Sequence, residues 1–417
     1  MENKNAYYRN YVLAMLTLVY VFNFIDRQLL VILQEAIKKE LDLSDTQLGL
    51  MSGFTFALFY ATLGIPIARL ADKSNRRTIV AVSLGLWSLM TALSGLSRNF
   101  VQLLLARIGV GVGEAGGSPP AHAIISDYFP VEKRSTALSI YSMGIYFGIL
   151  IGFIMGGYLN QYWGWRASFY LLGIPGIVFS LLFYFTVKEP IRDTDSVQNE
   201  LTFAEGIKKL YSTKTFTYLS FAAGFHAFCI YGMFNWEPSY LTRVHGLSSA
   251  QTGTYLGLIY GITGVVGTYS GGYLTDKFGK TNKRWYLLIP LLAIVLSIPF
   301  FIGNLSLRNT TYVFVCLGFV NFFYSIYLGP AIAVTHSLVP ASLRAFSSAV
   351  LFLVINLLGM GCGPLAVGFL SDKLSVNMGV NALPWAMGIV IPVSLLSGTL
   401  FLLASKHLVS DLEKVKS

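Results

Sequence analysis

Ala68-Arg69-Leu70-Ala71-Asp72-Lys73 closes one hydrophobic stretch of this 417-residue chain, and three later stretches close on the same kind of phrase. The others are Gly157-Tyr158-Leu159-Asn160-Gln161, Gly272-Tyr273-Leu274-Thr275-Asp276-Lys277 and Gly368-Phe369-Leu370-Ser371-Asp372-Lys373. In each, a small residue stands four positions before a polar one, and Asp72, Asp276 and Asp372 fill that polar place in all but the second copy. The phrases recur at intervals of roughly three membrane helices, allowing about 20 apolar residues per crossing plus a loop. A repeat nested inside each half of a polytopic protein is how many secondary transporters are built, so transport is the leading expectation before any chemistry is considered.

The composition supports a membrane setting. Hydrophobic residues make up 54% of the chain and charged residues only 12%, far from the balance of a soluble domain. Apolar segments long enough to cross a bilayer follow one another with short polar breaks. Their spacing predicts twelve spans, near 11–33, 47–69, 78–96, 101–128, 136–159, 167–187, 215–242, 250–274, 285–303, 310–338, 345–370 and 384–404. The composition shifts at 188–214, where Asp193, Asp195, Glu200, Glu205 and Lys208-Lys209 gather. The reading is an all-α integral membrane protein in two six-helix halves, 1–187 and 215–417, joined by a cytoplasmic linker. Within the linker, Leu201, Phe203, Ile207 and Leu210 suit a short amphipathic helix lying on the cytoplasmic surface; the alternative is a disordered tether.

The net charge of +10 invites a nucleic-acid reading, which its distribution removes. With the N-terminus cytoplasmic, 21 of the 30 Lys and Arg fall on inside segments. Seven fall outside (Lys38, Lys39, Arg98, Arg166, Arg243, Arg308 and Lys373), and two, Arg27 and Arg107, lie within spans. That asymmetry is the positive-inside rule, so the basicity is topological and both termini are placed in the cytoplasm. Cys229, Cys316 and Cys362 fall inside predicted spans without metal-ligand spacing, which predicts neither a disulfide framework nor a metal site. The first apolar stretch is too long for a cleaved signal and carries Asp26-Arg27, so it reads as a retained helix.

Asp26, Arg27, Arg107 and Glu114 lie at membrane depth, where folding does not require them. Each unpaired charge at a helix centre costs about 2.5–3.5 kcal/mol on insertion scales. Four of them would rival the whole stability of a domain, on the order of 10 kcal/mol. They must therefore face a wet cavity or one another. Arg107 and Glu114 share a face of one helix about 10 Å apart, too distant for a direct pair but placed to line one cavity. Asp26 and Arg27 point about 100° apart, so they need different partners. Arginine does not deprotonate in proteins, which leaves Asp26 and Glu114 as the groups able to exchange a proton. Burial favours a neutral carboxyl and a nearby arginine favours the charged form, so capture of the arginine by an anionic ligand is a physical route to proton coupling. A static ion-pair network that only fixes helix packing is the alternative.

Other residues carry weaker signals. His122, His226 and His336 suit hydrogen-bonded packing positions as well as functional ones. Glu237, before Pro238 near the outer end of its span, is expected at a solvated mouth. Gly144, Gly148, Gly152 and Gly156 form an i,i+4 ridge that predicts a contact face between helices, with the junction of the two halves as a candidate place. Gly279-Lys280-Thr281 ends like a phosphate-binding loop, but the leading position, 274, is leucine and no strand precedes it. Neither a nucleophile elbow nor a zinc-protease helix is present. No enzyme is expected, and no cofactor.

Gly64-x-x-x-Ala68-x-x-x-Asp72-Lys73-x-Asn75-Arg76-Arg77 resembles the signature loop of the major facilitator superfamily, and Gly272-x-x-x-Asp276-Lys277-x-Gly279-Lys280 is its echo in the second half. Ala68 and Asn75 depart mildly from the glycines of that pattern. Asn23-x-x-Asp26-Arg27, the run Arg107-Ile108-Gly109-Val110-Gly111-Val112-Gly113-Glu114-Ala115, and Asp127-Tyr128-Phe129 followed by Arg134-Ser135 are similar to motifs of the Spinster-like transporters. The resemblance implies the major facilitator fold, each half an inverted 3+3 repeat, working by alternating access. It implies a cytoplasmic latch of Asp72, Arg76, Arg77 and Asp127 with Asp276 as counterpart. It makes Asp26 and Glu114 proton-responsive and makes Arg27 and Arg107 gating or headgroup partners. The implied cargo is an amphiphile such as a lysophospholipid or sphingoid lipid, moved with protons by a monomer in the bacterial inner membrane and in contact with membrane lipids. Rival readings are a small organic anion carrier, a multidrug efflux antiporter and, from a different class, a non-transporting membrane sensor.

Overall fold

The computed structural model describes residues 2–190, 203–340 and 343–416, and a few side chains near helix ends, Asp72 and Phe203 among them, lie outside the described residues. Among the described residues the chain is helical with no strand, and its helices resolve into twelve spans. The first is Glu2–Leu41. The second joins Asp45–Gly49, a wider π-helical turn at Leu50–Phe54, and Thr55–Lys73. The third is Arg76–Ser94, and the fourth comes in two pieces, Phe100–Glu114 and Ser118–Tyr128. The fifth and sixth form one run, Val131–Thr186, reversed at Gly164, whose φ of 81° only glycine adopts readily. The seventh to tenth are Lys214–His245, Ser249–Gly279, Trp285–Ser306 and the pair Thr310–Tyr324 and Leu328–Ser337. The eleventh joins Arg344–Val354, a π-helical stretch at Ile355–Gly361, and Cys362–Met378; the twelfth is Val390–Lys416. Among the described residues, six stretches are long and apolar enough to cross a membrane, and Thr136–Thr186 and Phe346–Lys414 are each long enough to do so twice.

The first span begins nine residues earlier than its apolar stretch, because tyrosines hold the extension down. Tyr8 donates to the carbonyl of Thr186 at 3.0 Å, Tyr11 donates to the Thr186 hydroxyl at 2.6 Å, and the Lys188 N–H donates back to Tyr8. The N-terminal turns are thus tied to the end of the sixth span.

The residues gather into two compact units. One holds the first six spans together with Leu241–Gly261; the other holds the rest, up to Tyr240 and from Ile262 onward. Inside the first unit, the glycine ridge of the fifth span lies against the first span. A Cβ on Gly148 would stand 2.5 Å from Phe24 Cβ, and one on Gly152 would stand 3.1 Å from Ile25 Cα. The ridge is a contact within this unit, between its first and fifth spans. On the same span, Gly157 meets Gly253 at backbone distance, and Asn160 donates to Ser249 at 2.8 Å. This seats the 241–261 segment in the first unit.

The fourth span breaks for a covalent reason. Pro119 and Pro120 have no N–H to offer the preceding carbonyls, so the chain tightens through Ala115-Gly116-Gly117 and restarts at Ser118. The tenth span repeats the device. An asparagine caps a fifteen-residue helix (Asn99 before Phe100–Glu114, Asn309 before Thr310–Tyr324), and a proline-bearing helix follows the break. Glu114 and Tyr324 therefore occupy matching positions in the two units.

Of the linker, residues 191–202 lie outside the described residues, and with them Asp193, Asp195, Glu200 and Leu201. Phe203–Tyr211 is a helix. It is not laid on a membrane surface by its apolar face. Leu210 is buried in the core of the second unit, Ile207 packs on the same core, and Gly206 lies against the Phe346 ring.

The start of the seventh span is held from the twelfth. Asp411 Oδ2 accepts the Thr215 N–H at 3.0 Å and the Thr215 hydroxyl at 2.8 Å, which satisfies a donor the helix leaves open. Asp411→Ala is expected to lose about 1–2 kcal/mol, seen as a drop of about 1–2 °C in the melting midpoint of the detergent-solubilised protein.

Candidate functional site

The four ionisable residues singled out from sequence come together in the first unit. Arg27, on the first span, donates through Nε to Glu114 Oε2 at 2.7 Å, and Glu114 sits where the fourth span breaks. Gly113 makes this approach possible: a Cβ there would stand 2.7 Å from the Trp87 backbone nitrogen, so the helix end lies flat on the third span. Asp26, one residue before, faces elsewhere. Arg107 and Glu114 both act on it electrostatically and Thr91 Oγ1 lies beside it, yet neither Asp26 oxygen makes a hydrogen bond among the described residues. Arg107 donates through Nη2 to Ser94 Oγ at 2.8 Å, and its guanidinium lies 5.1 Å from the Phe169 ring centre.

These groups do not line an open cavity. Asp26 is 1% exposed, Arg107 3% and Glu114 1%, so three of the four are interior and face one another. Only Arg27 reaches outward, with 18% of its side chain exposed. Its guanidinium carbon lies 5.0 Å from the Phe24 ring centre, 4.9 Å from Phe56 and 5.0 Å from Tyr60. Ring faces at that distance attract a cation, each by about 0.5–2 kcal/mol. From Phe24 the aromatics continue edge-on to Tyr20, and Tyr20 stacks on Tyr141 at 4.4 Å; His122 meets the Tyr141 ring at 5.2 Å.

The residues expected to form a latch are distributed differently. Arg76 pairs with Asp127 between the third and fourth spans. Arg77 lies over Tyr184 at 4.6 Å and donates to the carbonyl of Val187 at 3.4 Å. Asp276 belongs to the second unit and accepts the Tyr286 hydroxyl at 2.9 Å. The Asp72 side chain lies outside the described residues. Sequence reading missed Glu189, whose two carboxylate oxygens accept the backbone N–H groups of Arg76 (3.0 Å) and Arg77 (2.8 Å) at the start of the third span. An acid just before Pro190 was the available signal, but its partner lies more than a hundred residues away in the chain.

A second cluster was also missed. Arg243, at the end of the seventh span, binds Glu35 Oε1 at 2.6 Å and both Asp45 oxygens at 2.7 Å, and Lys38 also pairs with Asp45. Sequence analysis counted Arg243 and Lys38 only as loop charges. The weaker candidates resolve plainly. His226 donates through Nε2 to the Tyr324 carbonyl at 3.0 Å, and His336 shares a hydrogen bond with Ser348. Glu237 is not at a solvated mouth: it is fully buried, bonded to Asn304.

Twelve helical spans with a buried charge cluster among the first six are the architecture of a polytopic membrane transporter. The chain belongs to the major facilitator superfamily, whose family description matches residues 16–360. It is 31% identical to a bacterial homologue of the human lysosomal transporter Spinster, superposing with a TM-score of 0.88 over 97% of this chain and 98% of that one. It is 32% identical to an MFS-type efflux pump of Mycolicibacterium smegmatis over 93% of this chain and 90% of the pump. It is 27% identical to Protein spinster homolog 1 of Xenopus laevis over 98% of this chain and 83% of that protein.

Breaking a buried pair leaves one charge stranded, so Glu114→Ala and Arg27→Ala are each expected to cost about 3–5 kcal/mol. The double variant should lose clearly less than the sum of the two, and thermal unfolding in detergent closes the cycle. Additive losses would mean that the 2.7 Å contact contributes no coupling.

Proposed function

We propose that the protein is a proton-coupled secondary transporter working by alternating access between two six-helix halves joined by the 188–214 linker. We propose as cargo an amphiphile with an anionic or zwitterionic head, such as a lysophospholipid or sphingoid lipid. The observation that carries the coupling is Asp26: a carboxyl buried beside Arg107, with neither oxygen hydrogen-bonded among the described residues. A carboxylate left in that position is penalised far more than a neutral acid.

Arg27 is the arm that links cargo to proton. It is the partly exposed member of the cluster and it holds Glu114. An anionic headgroup that captures Arg27 strips Glu114 of its counter-charge, and Glu114 then takes a proton. Arg107 keeps the charge balance around Asp26 as this happens. The rings of Phe24, Phe56 and Tyr60 around Arg27, continued by Tyr20 and Tyr141, offer apolar contact to a tail next to the headgroup. Arg76 with Asp127, the Glu189 cap, Arg77, Asp72 and, in the second half, Asp276 serve as the conformational latch. The setting is the bacterial inner membrane, as a monomer with both termini in the cytoplasm.

Drug efflux is the second reading, favoured by the similarity to a protein named as an efflux pump. The two readings, and that of a small organic anion carrier, separate in one experiment. Purified protein in sealed liposomes is given a pH gradient, and luminal pH is followed as a lysophospholipid, a sphingoid phosphate, a dicarboxylate, a sugar acid and a cationic dye are added in turn. The expected result is proton flux with a lipid-like amphiphile, with its pH dependence abolished in a folded Asp26→Asn variant. Wild-type pH dependence in that variant would sink the assignment of Asp26, and flux with the dye or the small acids alone would replace the cargo.

A further inference from the structure

Among its described residues the second unit holds no counterpart to the charge cluster of the first. Where Arg27 meets Glu114, the matching break in the tenth span presents Tyr324 to the ring of His226. One acid nevertheless lies deep in this unit. Glu237 is 0% exposed, on the turn of the seventh span that carries Pro238. Its bonded partner is Asn304 of the ninth span, whose Nδ2 stands 3.1 Å from Oε1 and 3.4 Å from Oε2.

We propose that Glu237 is a proton-binding site of the second unit, carrying its proton as a neutral carboxylic acid paired with the Asn304 amide. It stands apart from the coupling role proposed for Asp26 and Glu114 and holds whether or not that role is correct.

The geometry leads there by three steps. No cation faces the carboxyl among the described residues. The groups that act on it are Asn304 and, from its own helix, Tyr240. The ninth span has no charged residue between Trp285 and Ser306; the eleventh, which receives the Trp236 N–H at Pro364, bears Asp372 and Lys373 near its end, and neither acts on Glu237. Arg243, six residues on, is already taken by Glu35 and Asp45. An ionised carboxylate would thus be buried on a single amide, without the counter-charge that buried charges require.

The amide itself supplies the second step. Asn304 Oδ1 is buried with no donor. Amide nitrogen and oxygen are interchangeable in shape. With a proton on Glu237, the carboxyl O–H donates to Oδ1 and Nδ2 donates to the remaining carboxyl oxygen, so one proton from water removes both defects. No other bond is made or broken.

The third step is rigidity. Tyr240 donates to the Asn304 backbone carbonyl at 2.7 Å, so the seventh span grips Asn304 by main chain and side chain together. The backbone that carries the Asn304 amide is thereby held against the seventh span.

Infrared spectroscopy of the protein in nanodiscs tests this, because a protonated carboxyl absorbs in its own carbonyl-stretch region. At about pH 7, wild type and the Asp26→Asn/Glu114→Gln double variant should both show a hydrogen-bonded carboxylic-acid band that Glu237→Gln lacks. Glutamine reproduces the shape of the neutral acid, so Glu237→Gln should melt within about a degree of wild type from about pH 5 to about pH 7. Loss of a carboxylate band in its place, or an unchanged acid band, would overturn the proposal. So would absence of the band from wild type itself, a measurement that does not depend on any variant folding.

Discussion

Arg27 and Glu114 meet at 2.7 Å inside a bundle whose walls are apolar, and much of the first unit is arranged around letting them do so. A charge in such surroundings is tolerated only against another charge. The first span must approach closely enough for Arg27 to reach across, which the glycine ridge of the fifth span permits by bringing the backbones together behind it. The fourth span must stop at the right place, which the prolines at 119 and 120 enforce. Gly113 must lie flat on Trp87, or the helix end would stand off. One ion pair therefore depends on residues from four spans, none of them charged except the pair.

The two units use this backbone plan differently. An asparagine cap, fifteen helical residues, a break and a proline recur in the fourth and tenth spans. The residue presented at the break is Glu114 in one and Tyr324 in the other, and the facing residue of the first or seventh span is Arg27 or His226. The fold is shared and the chemistry is not, as expected where function is grafted onto a duplicated scaffold. Below the break in the second unit, Tyr324, Ser394 and Cys229 continue as a buried chain of neutral hydrogen bonds ending on the Val390 carbonyl. Such a chain holds helices in register without moving charge.

The ends of the spans are held by groups that composition alone makes look incidental. Glu189 closes the start of the third span, Asp411 the start of the seventh, and Arg243 draws Glu35 and Asp45 together. Arg166 likewise ties Glu40 to the carbonyls of Gly95 and Ser97. Charges near the ends of the spans thus fasten those ends to neighbouring helices.

The sequence by itself determined the number of spans and picked out the four ionisable residues at membrane depth. Each of these follows from local rules: a bilayer needs about 20 apolar residues per crossing, and a charge within such a run must have a partner. It also determined that Asp26 and Arg27 need different partners, since neighbours on a helix point apart. Only the tertiary structure decided which partner each one took, because Arg27 and Glu114 are 87 residues apart and no local period encodes that meeting. It moved Glu237 from an expected mouth into the interior, because burial depends on what packs around a helix, here Asn304 of the ninth span. It turned the glycine ridge toward the first span, because a ridge declares that something comes close without naming what.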